Sequence, residues 1–456
     1  MKKKDDMYLH FPTESERKRR KRIILMALVI LVFACLIGAA VYAVSRQIAG
    51  GIRGARKAAD DVMAEEMQGA DYQTEAKDYE VDAGGVLKTS GMPPTWFPDR
   101  EIEEKPVNTD YDIDQWMPDF VDNRKRVDAK GLYIRYINLD RDFDKILEMM
   151  DTTDLNTVVI DVKDDYGYTS FDTGVKVAAE SGAARSTIKD MPDIIRKFKE
   201  HGVYCVARIV SFRDSIACEY CPEMAVKKKD GSICRDNAGY AWLNPYDERS
   251  WDYIYELSMA CAEAGFDEVN YDYIRFSSDS VMKEADYGET GDLTKIQVIT
   301  EGVKSLCERL KPEGVFVSAD VYGAIISSTV DASIVGQSYK YMSMYLDYIC
   351  PMIYPSHYGA GYYNLDVPDA HPYELVYNAM QDSRKALSMI DVSDNKAIVR
   401  PWLQDFTATW VKGHITYGSD QVCSQIDAVY DVGYTGWLLW NAAGLYDVDK
   451  LGSKDQ

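Results

Sequence analysis

Four aspartates in this chain stand where short apolar runs end. Asp161 closes Thr157-Val158-Val159-Ile160, Asp272 closes Val269-Asn270-Tyr271, Asp320 follows Val315–Ala319, and Asp405 comes just after Ile398–Leu403. Carboxyl groups so placed can work as an acid–base pair. Cleaving a glycosidic bond needs two of them, one to protonate the leaving oxygen and one to attack the sugar or activate water. Asp272 and Asp320 fall at matching depth on consecutive runs, so they are expected to face each other across a cleft. Asp272 is the better candidate for nucleophile or base, and Asp320 for the acid. The roles can be swapped, and Asp161 competes for either. Aspartates at strand ends also cap helices and tie loops, but capping accounts for one more readily than for four.

Around these carboxylates lie side chains suited to a polar substrate. Arg208 ends the run Val203–Val210, and Arg275 stands three residues beyond Asp272. Either could orient a carboxylate or hold it ionised, or form a buried structural ion pair. Asn270 and Tyr271 precede Asp272, and Tyr354 and His357 lie in Tyr354-Pro355-Ser356-His357-Tyr358. Trp402, Gln404, Asp405, Trp440 and Asn441 complete the set, Trp440 suiting either the floor of a sugar subsite or the core. Asp161, Asp164 and Asp165 form a carboxylate cluster in which a divalent ion remains an open question. No metal is assigned and no organic cofactor is expected. A nucleophile elbow, a Walker loop and an HExxH motif are all missing from the sequence, which weighs against serine hydrolase, nucleotide-driven and zinc-protease chemistry. Cys218, Cys221 and Cys234 offer three zinc ligands without a fourth nearby, so a disulfide or plain thiols are favoured over a metal.

Positioning these residues requires strands that end together. Strand-like runs occur at Gly131–Tyr136, Thr157–Val162, Val203–Val210, Glu268–Tyr273, Val315–Ala319, Tyr348–Ile353, Ile398–Leu403 and Gly436–Trp440. Helical periodicity falls between them, at Asp190–His201, Glu248–Ala264, Lys295–Lys311, Pro372–Met389 and Asp420–Val432. Eight strands alternating with helices predict an α/β fold of the (β/α)8 TIM-barrel type, in which chemistry gathers at the carboxyl ends of the strands. A doubly wound open sheet is the alternative, disfavoured because no Gly-rich phosphate loop follows the first strand. The insertion Phe212–Pro245 is expected to cover the top of the barrel.

The barrel domain is expected over 129–456, behind three further segments: a basic tail (1–22), an apolar run (23–45) and an acidic stalk (46–128). The run from Ile23 to Ser45 holds no charged side chain and spans roughly 34 Å as a helix, enough to cross a bilayer core of about 30 Å. The cluster Arg17-Lys18-Arg19-Arg20-Lys21-Arg22 just before it predicts a cytoplasmic N-terminus and an extracellular barrel. An uncleaved anchor is favoured over a cleaved signal peptide, and a lipoprotein at Cys35 is weaker still. Net charge is −22. Such acidity argues against nucleic acid as a partner, although it also simply keeps a domain soluble. Tyrosines (33) far outnumber phenylalanines (12), and 8 tryptophans join them. Such rings serve sugar stacking or the polar edges of a core.

The segments Val159–Asp165, Ala207-Arg208-Ile209-Val210, Asn270–Phe276, Pro351–Tyr358, Asp369–Tyr373, Arg400–Asp405 and Gly436–Asn441 resemble, in order and spacing, the bacterial family called the putative glycosyl hydrolase domain. The resemblance covers roughly 130–446. It implies a TIM barrel with a glycosidase-type site, but carries no substrate and no established catalytic residue. The expectation is a membrane-anchored extracellular glycoside hydrolase acting on a cell-surface or environmental polysaccharide. The alternative is a non-catalytic barrel that binds or senses glycan.

Overall fold

The computed structural model describes residues 121–452, apart from 186, 391–395 and 449–450. The tail and the apolar run at 23–45 lie outside the described residues, as does the stalk through residue 120. Among the described residues no helix is long and apolar enough to cross a membrane.

Eight parallel strands close into a barrel: β1 (Lys130–Ile134), β2 (Thr157–Lys163), β3 (Tyr204–Val210), β4 (Glu268–Asp272), β5 (Phe316–Tyr322), β6 (Tyr348–Ile353), β7 in two pieces (Ile398–Val399 and Trp402–Gln404) and β8 (Trp437–Trp440). Lys130 pairs with Trp437 and Trp402 with Met352, so the ends of the chain order meet and no sheet edge remains in the ring. Helices fill the connections: α1 (Tyr136–Thr152), α2 (Met191–Glu200), α3 (Glu248–Glu263), α4 (Lys295–Leu310), α5 (Thr329–Val335), α6 (Pro372–Ser388) and α7 (Ser419–Val432). The closed ring is the expected (β/α)8 barrel, and the doubly wound open sheet, its disfavoured alternative, is set aside.

Two expectations need correction. Ile398–Leu403 is not one strand, because Pro401 has no N–H to give a neighbouring strand and the ladder breaks at Arg400-Pro401. Tyr136 belongs to α1 rather than to the first strand. That helix is missing from the expected ones although Leu139, Phe143, Ile146 and Met150 recur at helical spacing; its backbone leaves the helical region at Asp142 (φ −116°, ψ 18°). Elsewhere local chemistry sets the boundaries. Asp190 caps α2 by accepting from the Asp193 N–H at 3.0 Å, and Thr294 and Gln297 form a reciprocal capping box on α4. Gly265, at φ 97°, turns the chain from α3 toward β4, a conformation that costs other residues dearly.

Alternation along each strand separates two environments. Val158, Ile160 and Val162 of β2, Cys205, Ala207 and Ile209 of β3, and Val317, Ala319 and Val321 of β5 belong to the apolar layer shared with the helices. The opposite face of β4 carries Glu268, Asn270 and Asp272, all buried, so the barrel interior is polar. At its base Glu268 is paired with Arg400, whose Nη1 donates to Glu268 Oε2 at 3.2 Å, and Tyr204 donates to the same carboxylate at 2.9 Å. At its mouth the insertion after β3 brings Trp242 to 5.8 Å from the ring of Tyr273, just past β4. Cys218, Cys221 and Cys234 are free thiols, the Sγ of Cys234 lying 3.6 Å from the Met282 sulfur.

Candidate active site

Arg208 is the hub of the barrel mouth. Its place on β3, between β2 and β4, lets its guanidinium reach carboxylates on both neighbours. Nη1 donates to Asp161 Oδ1 at 2.7 Å, while Nη2 and Nε donate to Asp272 Oδ2 at 2.6 and 3.0 Å. Asp165 Oδ2 stands 3.5 Å from Nη1. The other oxygen of Asp161 accepts from the Tyr133 hydroxyl at 2.5 Å, and the other oxygen of Asp272 from the Tyr273 N–H at 2.7 Å. Asp161 and Asp272 are therefore two arms of one ion-pair network. Burial pushes the Asp161 carboxyl up against the pull of Arg208. Burial opposes ionisation of Asp165 too, but there Arg208 and Arg213 prevail and hold it below the usual range.

Asp320 has a different environment. It is 2% exposed on β5. Its Oδ1 accepts from Asn270 Nδ2 at 2.9 Å and Trp402 Nε1 at 2.7 Å. Its Oδ2 meets no donor among the described residues. Burial first, and then the negative charge of Asp272, push its carboxyl up to about 8 despite those two hydrogen bonds. A protonated acid thus stands beside a carboxylate in an ion pair, on adjacent strands.

The remaining expected residues divide. Trp440 is half-buried, stacked on Tyr133 with centroids 4.1 Å apart, and the Arg208 guanidinium lies 5.2 Å from its ring. Tyr354 is buried where the charges of Asp320 and Asp272 are felt. His357 keeps some open surface, yet burial pushes its imidazolium down to about 3, so it is neutral beside the Ser356 hydroxyl 3.0 Å away. Asp405 is buried, and its Oδ2 has no partner among the described residues. Burial and then the charge of Asp447 push it up to about 7.

Four residues expected to bind substrate are committed elsewhere. Tyr271 alternates to the outer face, where its hydroxyl lies 2.7 Å from Ser258 Oγ on α3. Trp402 is sealed in the barrel and serves Asp320 as a donor rather than offering a ring to a sugar. The Gln404 amide donates to Asp369 and to the Phe406 carbonyl and accepts from the Ser356 N–H, so it ties loops. Asn441 likewise donates to the carbonyls of Asp405 and Leu445. Arg275 forms no ion pair among the described residues, and the work of holding carboxylates falls to Arg208 and, at Asp165, to Arg213. In the cluster at the end of β2, Asp164 Oδ1 accepts from the Tyr166 and Tyr168 N–H groups, both at 2.9 Å, and closes its own turn. Asp161 and Asp165 face Arg208 instead. Tyr133 and Tyr273 escaped the sequence reading. The inward alternation of β1 could have found Tyr133; the turn at Tyr273 leaves no sequence signal.

A family model described as "Putative glycosyl hydrolase domain" matches residues 131–446. No curated protein matches the chain. Among solved structures, the chain is similar to a hypothetical protein from Ruminiclostridium thermocellum ATCC 27405, at 32% identity over 42% of this chain and 97% of that one, with a TM-score of 0.39. It is also similar to the PgaB (BpsB) glycoside hydrolase domain from Bordetella bronchiseptica, at 14% identity over 69% and 94% of the two chains, TM-score 0.49. The catalytic domain of β-amylase from Paenibacillus polymyxa is similar at 12% identity over 72% and 96%, TM-score 0.41.

Proposed function

The chain belongs to the putative glycosyl hydrolase domain family, and from that premise we propose that it hydrolyses glycosidic bonds by a two-carboxylate mechanism. The observation that carries this is the contrast between Asp320 and Asp272. Pairs of titratable groups whose environments differ in this way divide into acid and base. Asp320, protonated at neutral pH, gives its proton from Oδ2 to the leaving glycosidic oxygen. Asp272, held by Arg208, attacks the anomeric carbon or takes a proton from the attacking water. Asn270 and Trp402 keep the Asp320 carboxyl aimed, and Trp440 offers a ring to a sugar. Asp161 anchors the far side of Arg208, a positioning role.

The run at 23–45 anchors the protein in the cell membrane, with the basic tail in the cytoplasm and the barrel outside. Its substrate is then a cell-surface or environmental polysaccharide.

The test is release of reducing ends from a panel of bacterial and plant polysaccharides by full-length protein held in detergent, beside the Asp272→Asn and Asp320→Asn variants. Release by the wild type and loss in both variants is expected. Release that survives in both variants sinks the residue assignment. Glycan binding without any release turns the reading to a non-catalytic carbohydrate-binding barrel.

A further inference from the structure

Resting on the hydrolase reading, we propose that Arg275 is an anion-recognising residue of the cleft and that the glycan carries a carboxylate, as a uronic acid does. Arg275 stands three residues beyond Asp272 and is 8% exposed. Burying a guanidinium is costly unless a counter-charge comes with it. Other buried arginines obey that rule: Arg208 meets Asp161, Asp165 and Asp272, Arg213 meets Asp165, and Arg400 meets Glu268. Arg275 has no carboxylate within 4.0 Å among the described residues. Its Nη1 donates to the Phe276 carbonyl at 3.0 Å, and Nε and Nη2 meet no acceptor there.

Three rings hold it instead. Its Cζ lies 4.6 Å from the centroid of Tyr322, 4.8 Å from Tyr273 and 5.2 Å from Trp242. Ring faces attract a cation, but they do not satisfy the in-plane N–H donors. The cage orients the guanidinium and leaves a hydrogen-bonding edge unused. Its rings come from the elements that bound the mouth: Tyr273 follows β4, Tyr322 ends β5, and Trp242 belongs to the insertion after β3. Since β4 carries Asp272 and β5 carries Asp320, the cage stands on the rim beside the proposed catalytic pair. The chain reaches it through Tyr273 at φ 48°, a left-handed conformation uncommon for a bulky residue and of the kind that gathers at functional sites.

The chemistry selects a carboxylate. A planar guanidinium edge matches a planar carboxylate with two parallel hydrogen bonds. One charge meets one charge. A phosphate monoester would bring a second negative charge into a mouth already holding Asp161, Asp165, Asp272 and Asp405.

The test is calorimetric binding of oligogalacturonate, hyaluronan and alginate oligosaccharides to the full-length protein in detergent, each beside its carboxyl-reduced neutral form. For at least one pair the carboxylated member is expected to bind roughly tenfold tighter or more, the scale of a charge-assisted hydrogen bond. Arg275→Gln should remove that difference, and Arg275→Lys should keep part of it. Equal affinity within every pair, or a preference that persists in Arg275→Gln, overturns the proposal while hydrolysis of any glycan leaves the hydrolase reading standing. No affinity for any member together with no hydrolysis overturns both. If Arg275→Gln fails to fold, the wild-type pairs and Arg275→Lys decide.

Discussion

Asp320 and Asp272 lie on adjacent strands, yet their partners give them opposite characters. A guanidinium grips Asp272, whereas an amide and an indole hold Asp320 in a setting that favours its proton. Asp320→Asn keeps the shape and removes the acid, so kcat should fall by roughly 10²–10⁴-fold. The acid must be protonated to act, so wild-type activity should fall as pH rises through about 8. A pH–rate profile that stays flat to pH 9.5 would contradict that assignment. Stability should respond as well. Between the ordinary value of 3.8 and about 8 the unfolded chain releases this proton and the folded chain keeps it. The folded state then binds more protons, and stability declines as pH rises through that window. In Asp320→Asn that decline should be smaller. Melting temperatures of both proteins at pH 4.5 and 8.5 check this, with the variant gaining on the wild type at the higher pH.

Strand order and register bring the site together. The strands carrying Asp161, Arg208, Asp272 and Asp320 are legible in the sequence as short apolar runs, although β2, β3 and β5 continue two residues past Asp161, Arg208 and Asp320. The helices α3, α4, α6 and α7 are legible through their apolar spacing, and their limits fall within a residue of expectation. Partner choice is not legible. Nothing local to Trp402 says that its indole serves Asp320, 82 positions earlier. Nothing local to Gln404 says that its amide closes loops, because both facts depend on ring closure between β6, β7 and β8. The left-handed turn at Tyr273 is set by packing around Arg213 and Arg275, not by a glycine or asparagine that would announce it. The base of the barrel makes the same point. Arg400, at the break in β7, neutralises Glu268 on β4. Glu268→Ala should cost about 3–5 kcal/mol by leaving a buried charge unpaired. Chemical denaturation would measure it, and a loss below 1 kcal/mol would show the pair to be dispensable.

At the scale of the whole molecule, the proposed topology rests on the basic cluster Arg17–Arg22 beside the apolar run at 23–45, and it places the acidic barrel outside. Protease added to intact cells should remove the barrel epitope and spare the tail. A barrel that is protected until the cells are lysed would refute this topology. The family match spans residues 131–446 and so concerns the barrel alone.

The ion pair between Glu268 and Arg400 joins residues 132 positions apart, and Tyr133 stacks on Trp440 across nearly the whole barrel sequence. Contacts of such separation make folding slow, because their loop-closure entropy is lost before the contacts form. Until Arg400 arrives, Glu268 has no counter-charge in the interior. The ring of strands closes only when β7 and β8 pair with β6 and β1. A chain cut short before β7 would leave two exposed sheet edges, ready templates for association with other chains.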